Sequence, residues 1–383
     1  MSRTVVILTG EASGDLYGAD LAESLRARFP EVALYGVGGA RMHAAGIQLI
    51  ADSRAWGAIG IVQSVKVAPK VLLAFQRVKR FLRRVRPDVV VPIDFGAFNV
   101  PLSCWAKAHG MRVAYYMPPG SWRRERQGAD LPRCTDCVLT PFEWSATRLR
   151  ALGAQAHWVP HPLLRLARPS ESKEAFCERL GLDPYRPIVA LLPGSRRHEA
   201  SALTPLYARV ADQLYSVMPE TQFVISVASH FSPDWIHALW SEGSKQWVPT
   251  ETRSVWNLLA HADAAIVCSG TATLEAALLG TPMLIVYRGD WLMNLEYRLR
   301  RRRLNLRWIG LPNLILQRDV CPEFIQEAAS PDALTHALLP LLRDETARHA
   351  QLEAFREIRH ALGEGHNLRE AHEWIADLLT GAI

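Results

Sequence analysis

The sequence predicts an α/β protein built as two Rossmann-like, parallel-sheet domains. Three observations carry that prediction. Short apolar runs alternate with turn clusters and helical patterns, as expected of strands buried on both faces and crossed over by helices. The pattern restarts after a polar, Arg- and Glu-rich stretch from Arg165 to Leu182. The length, 383 residues, exceeds one ordinary core and fits two domains of roughly 150–200 residues each.

In the first half, Val5-Val6-Ile7-Leu8 reads as a strand, with a helix from about Leu16 to Arg28. Leu34 to Val37 is the next strand. Residues 66–85 place apolar positions at helical spacing with basic residues between them. Strands follow at Val89–Ile93, Arg112–Tyr116, Cys137–Leu139 and His157–Val159. In the second half, Pro187–Leu192, Gln222–Ser226, Ala264–Cys268 and Met283–Val286 read as strands. Helices are expected at about Ala202–Met218 and Leu274–Leu279. The expected domains are residues 1–164 and 165–364, with a C-terminal helix at about 365–383 packing back on the first.

Composition narrows the class. No apolar run approaches the roughly 20 residues that span a bilayer, and the N-terminus lacks the apolar region and cleavage site of a signal peptide. A cytoplasmic protein is the expectation. The six cysteines are scattered. Cys134-Thr135-Asp136-Cys137 is a C-x-x-C without a second ligand pair, and Cys137 opens a strand-like run, so a zinc or redox motif is disfavoured. The net charge of +6 is patchy, with one basic block at Arg298 and Arg300–Arg303 and another from Lys66 to Arg84. Such blocks are solvated faces or meet anionic membranes or phosphates. None of the usual nucleic-acid modules is present, so no nucleic-acid partner is expected.

Ligands of open parallel sheets bind beyond the carboxyl ends of the strands, and the informative motifs fall there. Gly10-Glu11-Ala12-Ser13-Gly14-Asp15 combines a tight turn with a helix N-terminus. It also fits a plain turn with Ser13 or Asp15 as N-cap. Pro193-Gly194-Ser195-Arg196 places a cation after a strand. There Arg196 could neutralise a diphosphate, supported by the backbone amides of Ser195 and Arg196. Neither the dinucleotide fingerprint nor the Walker pattern is present. Ser269-Gly270-Thr271-Ala272-Thr273 opens a helix whose amides suit a pyrophosphate, and Glu275 could accept from a ribose diol. Capping by Ser269 or Thr271 is the alternative. Asp94 closes a very apolar strand, where desolvation suits a carboxylate to general-base work.

In this order and spacing the motifs resemble the lipid-A-disaccharide synthase family over nearly the whole chain. The carriers include those already quoted, together with Gly36-Val37-Gly38-Gly39-Ala40-Arg41-Met42 and Gly46, Gly60-Ile61-Val62, Phe98-Asn99 and Leu311-Pro312-Asn313-Leu314. The resemblance implies a GT-B glycosyltransferase with a cleft between its two domains. It implies inverting transfer of 2,3-diacylglucosamine from UDP to the 6-hydroxyl of 2,3-diacylglucosamine 1-phosphate, giving a β-1,6 disaccharide and UDP. No metal or other cofactor is implied. Asp94 would be the base. Glu11 would be catalytic beside it, with Ser13, Gly14, Asp15 and Asn99 near the acceptor. Arg196, Ser269, Gly270, Thr271, Glu275 and Asn313 would hold UDP. The implied partners are the UDP-linked acylated donor, the lipid-sugar phosphate acceptor, the inner face of the cytoplasmic membrane, met by the basic stretch at 66–84, and a second copy in a homodimer.

The departures from the family pattern cluster in the first domain. Ala97 stands where the family has a second carboxylate. Pro118-Pro119-Gly120-Ser121-Trp122-Arg123-Arg124-Glu125 replaces a Ser-Pro-Ser-Val-Trp-Ala-Trp-Arg region, and Pro160-His161-Pro162 replaces Gly-His-Pro. The donor class is therefore better marked than the acceptor. Two alternatives stay open on sequence alone: a GT-B transferase or UDP-sugar epimerase with another substrate, and a nucleotide-sugar-binding protein without catalysis.

Overall fold

The computed structural model describes residues 3–53, 61–118, 125–289 and 307–382, excepting the side chains of 61–68 and 125–127. The chain divides into two compact units, one of residues 1–162 with 361–383 and one of residues 163–360. The helix Ala371–Thr380 thus belongs with the first sheet, where the Arg112 guanidinium donates to the Leu378 carbonyl.

The first unit holds β1 (Thr4–Leu8), β2 (Ala33–Gly38), β3 (Gln48–Asp52), β4 (Val89–Pro92), β5 (Arg112–Tyr116), β6 (Cys137–Thr140) and β7 (Ala156–Trp158). They form one parallel sheet in the order β3-β2-β1-β4-β5-β6-β7. Its central strands are apolar at all but the first position of β1 because helices cover both faces; Val5, Val6, Ile7, Val89, Val90 and Val91 are wholly buried. Crossovers include α1 (Ala12–Arg28), α2 (Ala40–Ala44), α3 (Ile61–Val85), α4 (Gly96–Ala108), α5 (Glu125–Cys134) and α6 (Glu143–Ala151). The short β3 and α2 lack the periodicity that marks longer elements.

The second unit starts with α7 (Leu163–Leu166) and α8 (Lys173–Leu180). It holds β8 (Ile188–Leu192), β9 (Gln222–Ser226), β10 (Thr250–Glu251), β11 (Ala264–Cys268), β12 (Met283–Tyr287) and β13 (Glu323–Ile325). The parallel order is β10-β9-β8-β11-β12-β13. The helices α9 (Arg197–Val217), α10 (Pro233–Trp240), α11 (Val255–His261) and α12 (Thr271–Leu279) connect these strands. Leu191, Leu203, Tyr207, Ile266 and Leu284 meet in the core between sheet and helices.

Both sheets reverse their strand order once near the middle: between β1 and β4 in the first, between β8 and β11 in the second. Crevices for ligands open at such reversals, outside the carboxyl ends of the strands. The segments that leave those four strands are Gly10–Asp15, Asp94–Phe95, Pro193–Arg196 and Ser269–Thr271.

The helix starts differ from the sequence expectation. α1 begins at Ala12 with Glu11 as N-cap, not with Ser13 or Asp15, because the Asp15 carboxylate is drawn to another helix. α9 begins at Arg197, five residues early, with Arg196 as N-cap. α12 is preceded by Gly270 as N-cap, so neither Ser269 nor Thr271 caps it. The cysteines agree with the reading of the C-x-x-C as no zinc or redox motif, and they add a pairing that the sequence does not show. Cys134 is bonded to Cys104 in a disulfide from α4 to the end of α5. Cys137 remains a buried thiol that desolvation pushes up to about 12. The C-x-x-C is therefore not a functional unit. Thirty residues separate the true partners, beyond any local spacing rule.

Candidate functional site

At the first reversal the loops after β1 and β4 interlock. A Cβ on Gly10 would lie 2.2 Å from Cγ of Phe95, so only glycine lets that ring pack across the turn. Asp94 and Phe95 are both non-glycine residues in the left-handed region, at φ 45° and 46°, and Met117 at the end of β5 joins them at 52°. Such conformations cost about 1–3 kcal/mol each and persist where surrounding structure enforces them, typically at working sites. Here the enforcement is visible. The amide of Asp94 donates to the Met117 carbonyl at 3.1 Å. The Asp94 carbonyl accepts from Asn99 Nδ2 at 2.9 Å and from the Tyr115 hydroxyl at 2.8 Å.

The Asp94 carboxyl is raised from 3.8 to about 6. Burial is the main cause, and the charge of Glu11 adds to it against a partly compensating hydrogen bond from the Phe95 amide. It is thus an anion at neutral pH with more basicity than an ordinary aspartate, which suits a general base. Glu11, at the N-cap of α1, is close enough to act on Asp94 electrostatically. Ser13 lies partly exposed in the first turn of α1. Gly14 is buried, with space for a Cβ only 3.0 Å from the Thr9 side chain.

Two sequence-selected residues carry loads inside the protein. The Asp15 carboxylate accepts from the amides of Gly39 (2.6 Å), Arg41 (3.0 Å) and Met42 (3.1 Å), capping the neighbouring α2. Asn99 is fully buried, and its Nδ2 reaches the carbonyls of Leu8, Ile93 and Asp94 at 3.1, 3.1 and 2.9 Å. It ties the ends of β1 and β4 together. Asp15 and Asn99 therefore shape the rim through the backbone. Tyr115 was not selected from sequence; inside a strand, a tyrosine reads as core.

At the second reversal Arg196 is held by a residue that the sequence reading passed over. Glu199, one turn into α9, is almost wholly buried. Its Oε1 accepts from Arg196 Nη1 at 2.9 Å and its Oε2 from the Arg196 amide at 3.2 Å. The amide expected to support a diphosphate therefore points to Glu199 instead. A Cβ on Gly194 would lie 2.5 Å from Oε2 of Glu199 and 3.0 Å from Sγ of Cys268. This carboxylate thus fills the space between the ends of β8 and β11. The Cys268 thiol is pushed up by burial first and by Glu199 next. An i, i+3 Arg–Glu pair in a helix start looks like surface decoration, so only burial exposes its role.

The β11 loop leaves an open platform. Gly270 stands at φ 154°, ψ −162°, a conformation confined to glycine, and nothing lies within 4 Å of where its Cβ would be. Thr271 starts α12 behind it, and Glu275 lies a turn further on, partly exposed. Ser269 Oγ donates to the Ile309 carbonyl at 2.9 Å, and Thr273 Oγ1 accepts from the Leu311 amide at 3.3 Å. The segment 309–313 is thereby packed against the start of α12. Asn313 itself is buried and saturated. Its Nδ2 donates to the Cys321 carbonyl and Glu323, both at 2.8 Å, and its Oδ1 accepts from the amides of Val320 and Cys321, also at 2.8 Å. It anchors that segment to β13. Glu323, raised by burial, also takes the amides of Ile309 and Gly310.

The arrangement is two rims of one plan, carboxylates at the first and a clamped cation beside an open helix start at the second. A lipid-A-disaccharide synthetase family model matches residues 5–376. The chain belongs to the lipid-A-disaccharide synthase family. The family member of Trichlorobacter lovleyi is 36% identical over 366 residues, covering 95% of this chain and 94% of its own. That of Coxiella burnetii is 30% identical over 379 residues, covering 99% of each chain. Among solved structures, a putative UDP-N-acetylglucosamine 2-epimerase from Listeria monocytogenes superposes with a TM-score of 0.67 at 13% identity, covering 100% of this chain and 97% of its own. The calicheamicin glycosyltransferase superposes at 0.60 and 12%, covering 100% and 99%. These likenesses carry the fold, that of GT-B glycosyltransferases and epimerases. Family membership makes the chain a glycosyltransferase of lipid A biosynthesis, not an epimerase or a bare binding protein.

Three expectations lie wholly or partly outside the described residues: the Arg298–Arg303 block, Gly60 of the Gly60-Ile61-Val62 motif, and the segment from Pro119 to Arg124. Among the described residues, no helix is long and apolar enough to cross a membrane. Among them too, no group of three or more His, Cys, Asp or Glu is placed to hold a metal ion.

Proposed function

We propose that Asp94 removes the proton of the acceptor 6-hydroxyl as that oxygen attacks the anomeric carbon of a UDP-linked 2,3-diacylglucosamine with inversion. UDP leaves from the second rim, where Arg196 and the amides at the start of α12 meet the diphosphate. Glu11 and Ser13 face the acceptor, and Glu275 takes the ribose. The observation that supports this most is topological: the four motifs sit on the four strands that flank the two sheet reversals. No metal is required in this reading, since fixed dipoles and a guanidinium supply the counter-charge. Purified protein with donor and acceptor, in excess EDTA, should release UDP and form a disaccharide in equal amounts. UDP release without the lipid acceptor, or only with an unrelated one, would move the reading to a different acceptor.

The acylated substrates place the enzyme at the inner face of the cytoplasmic membrane, and α3 supplies a surface for it. Leu72 and Leu73 are 61% and 71% exposed, and Lys70, Arg77 and Arg80 around them are exposed as well. Apolar insertion with cations at the headgroups is the way amphipathic helices bind anionic lipid. Leu72→Ser with Leu73→Ser should cut sedimentation with phosphatidylglycerol vesicles several-fold while sparing turnover on detergent-dispersed substrate. Equal sedimentation would remove α3 from the reading. A homodimer through C-terminal elements is proposed from the family resemblance; a monomeric mass by light scattering at working concentration would exclude it.

A further inference from the structure

The strained corner at Asp94 needs a device that holds it. Two consecutive left-handed residues, Asp94 and Phe95, are followed directly by α4. Left alone, a non-glycine pair relaxes toward φ below zero. That relaxation would swing the Asp94 peptide and carry its carboxylate away from the rim. The peptide is held by its carbonyl oxygen, which accepts from Asn99 Nδ2 and from the Tyr115 hydroxyl. Tyr115 is wholly buried on β5, next but one to Met117, whose own carbonyl takes the Asp94 amide. The N–H and the C=O of Asp94, on the two peptide units that flank its Cα, are thus both gripped from the end of β5.

We propose that Tyr115 is a positioning residue for the transfer reaction. Its buried hydroxyl, together with the Asn99 amide, pins the Asp94 carbonyl and so keeps the strained carboxylate at the rim. The proposal rests on the reading of Asp94 as the base. Burial holds the Tyr115 phenol well above its ordinary range, so it stays a donor throughout the working pH. Among the described residues, Glu11 from the start of α1 and Tyr115 from β5 are the titratable groups that bear on Asp94.

Tyr115→Phe keeps the ring and removes the donor. In the full-length enzyme with both substrates it should lower kcat about 10- to 100-fold, the scale of a misplaced catalytic group. KM for donor and acceptor should hold. The acid limb of kcat/KM should move to lower pH, because a relaxed Asp94 regains water. A role in packing alone would change the thermal midpoint and leave the limb in place, so an unchanged limb and kcat in folded Tyr115→Phe overturns the proposal. If that variant does not fold, Asn99→Leu substitutes, since it keeps the volume and removes the other donor to the Asp94 carbonyl. The same fall in kcat and shift of the limb are expected, and a wild-type profile overturns the proposal. Asp94→Asn run alongside separates the two failures. An active Asp94→Asn enzyme removes the base reading itself, whereas an inactive one with a wild-type-like Tyr115→Phe removes only the role of Tyr115.

Discussion

At the first sheet reversal β4 runs into a carboxylic acid that burial keeps protonated up to about pH 6; at the second, β8 runs into a guanidinium gripped by a buried glutamate. The backbone plan is shared, a parallel strand, a turn and a helix start beside the place where strand order reverses. The side chains invert it. The first corner is held by neutral donors on a carbonyl and leaves its carboxylate at the rim. The second is held by an anion on a cation. Local charge follows the job proposed for each: accepting a proton requires a basic anion with little competing solvation, and stabilising a diphosphate requires a fixed positive field. The lesson is that the scaffold chooses where a ligand sits, and the few residues bracing each corner choose what it meets there.

The largest effect expected from this contrast is at Asp94. Asp94→Asn should lower kcat by about 10³-fold, within the usual range for a lost general base, while donor KM stays near wild type. The wild-type kcat/KM should fall tenfold per pH unit below about 6, as the carboxylate takes up its proton. Stability should move the other way. A carboxyl raised from 3.8 to about 6 by folding is penalised wherever it is ionised in the native state. The unfolded chain loses that proton near pH 4 and the native one near 6, so the penalty grows across this window and is complete above it. The asparagine enzyme should therefore be more stable at pH 7.5, by about 3 kcal/mol, with no difference below pH 4. Equal unfolding midpoints in urea at pH 7.5 would show that Asp94 is not penalised by its surroundings.

The second corner predicts a different pairing of loss and stability. Arg196→Ala should reduce kcat/KM for the donor by about 10²-fold, the scale of one lost charge stabiliser. It also leaves Glu199 buried and unpaired, which costs about 3–5 kcal/mol in comparable sites. Removing both partners relieves that cost without restoring the cation. Arg196→Ala with Glu199→Ala should thus be more stable than Arg196→Ala alone and no more active. Glu199→Gln keeps the cap and weakens the grip, for about a tenfold loss in kcat/KM. If the double variant regains activity along with stability, Arg196 has no charge role and its contribution is structural.

How much of this was legible in the sequence differs between corners for a physical reason. The strands at Val5–Leu8, Arg112–Tyr116 and Ala264–Cys268 were readable because burial on both faces leaves an unbroken apolar run. Asp94, Arg196 and Gly270 were readable because a charge or a glycine directly after such a run is conspicuous. The bracing was not. Glu199 and Tyr115 act through burial, and burial depends on neighbours from distant segments. Asn99 and Asn313, both named as ligand contacts, have their amides engaged by backbone and side-chain groups of their own units. A motif shows that a residue is wanted at a corner, without showing whether it faces the ligand or the chain. The Cys104–Cys134 bond was hidden for the same reason, since α4 and α5 meet only in the fold.

The smallest effect tests whether Glu11 faces the acceptor or only its neighbour. Its charge raises Asp94, second to burial. Removing that charge in Glu11→Gln lets Asp94 ionise more readily, so the acid limb of kcat/KM should move down by less than about one pH unit, the share of a secondary cause. If electrostatics is all that Glu11 supplies, kcat on the plateau above pH 7.5 stays within about twofold of wild type. If Glu11 also grips the acceptor, the limb still shifts and acceptor KM rises several-fold on the plateau. The two outcomes separate in one set of pH profiles. A limb that does not move at all contradicts the coupling of the β1 and β4 loops, on which the contrast between the two corners depends.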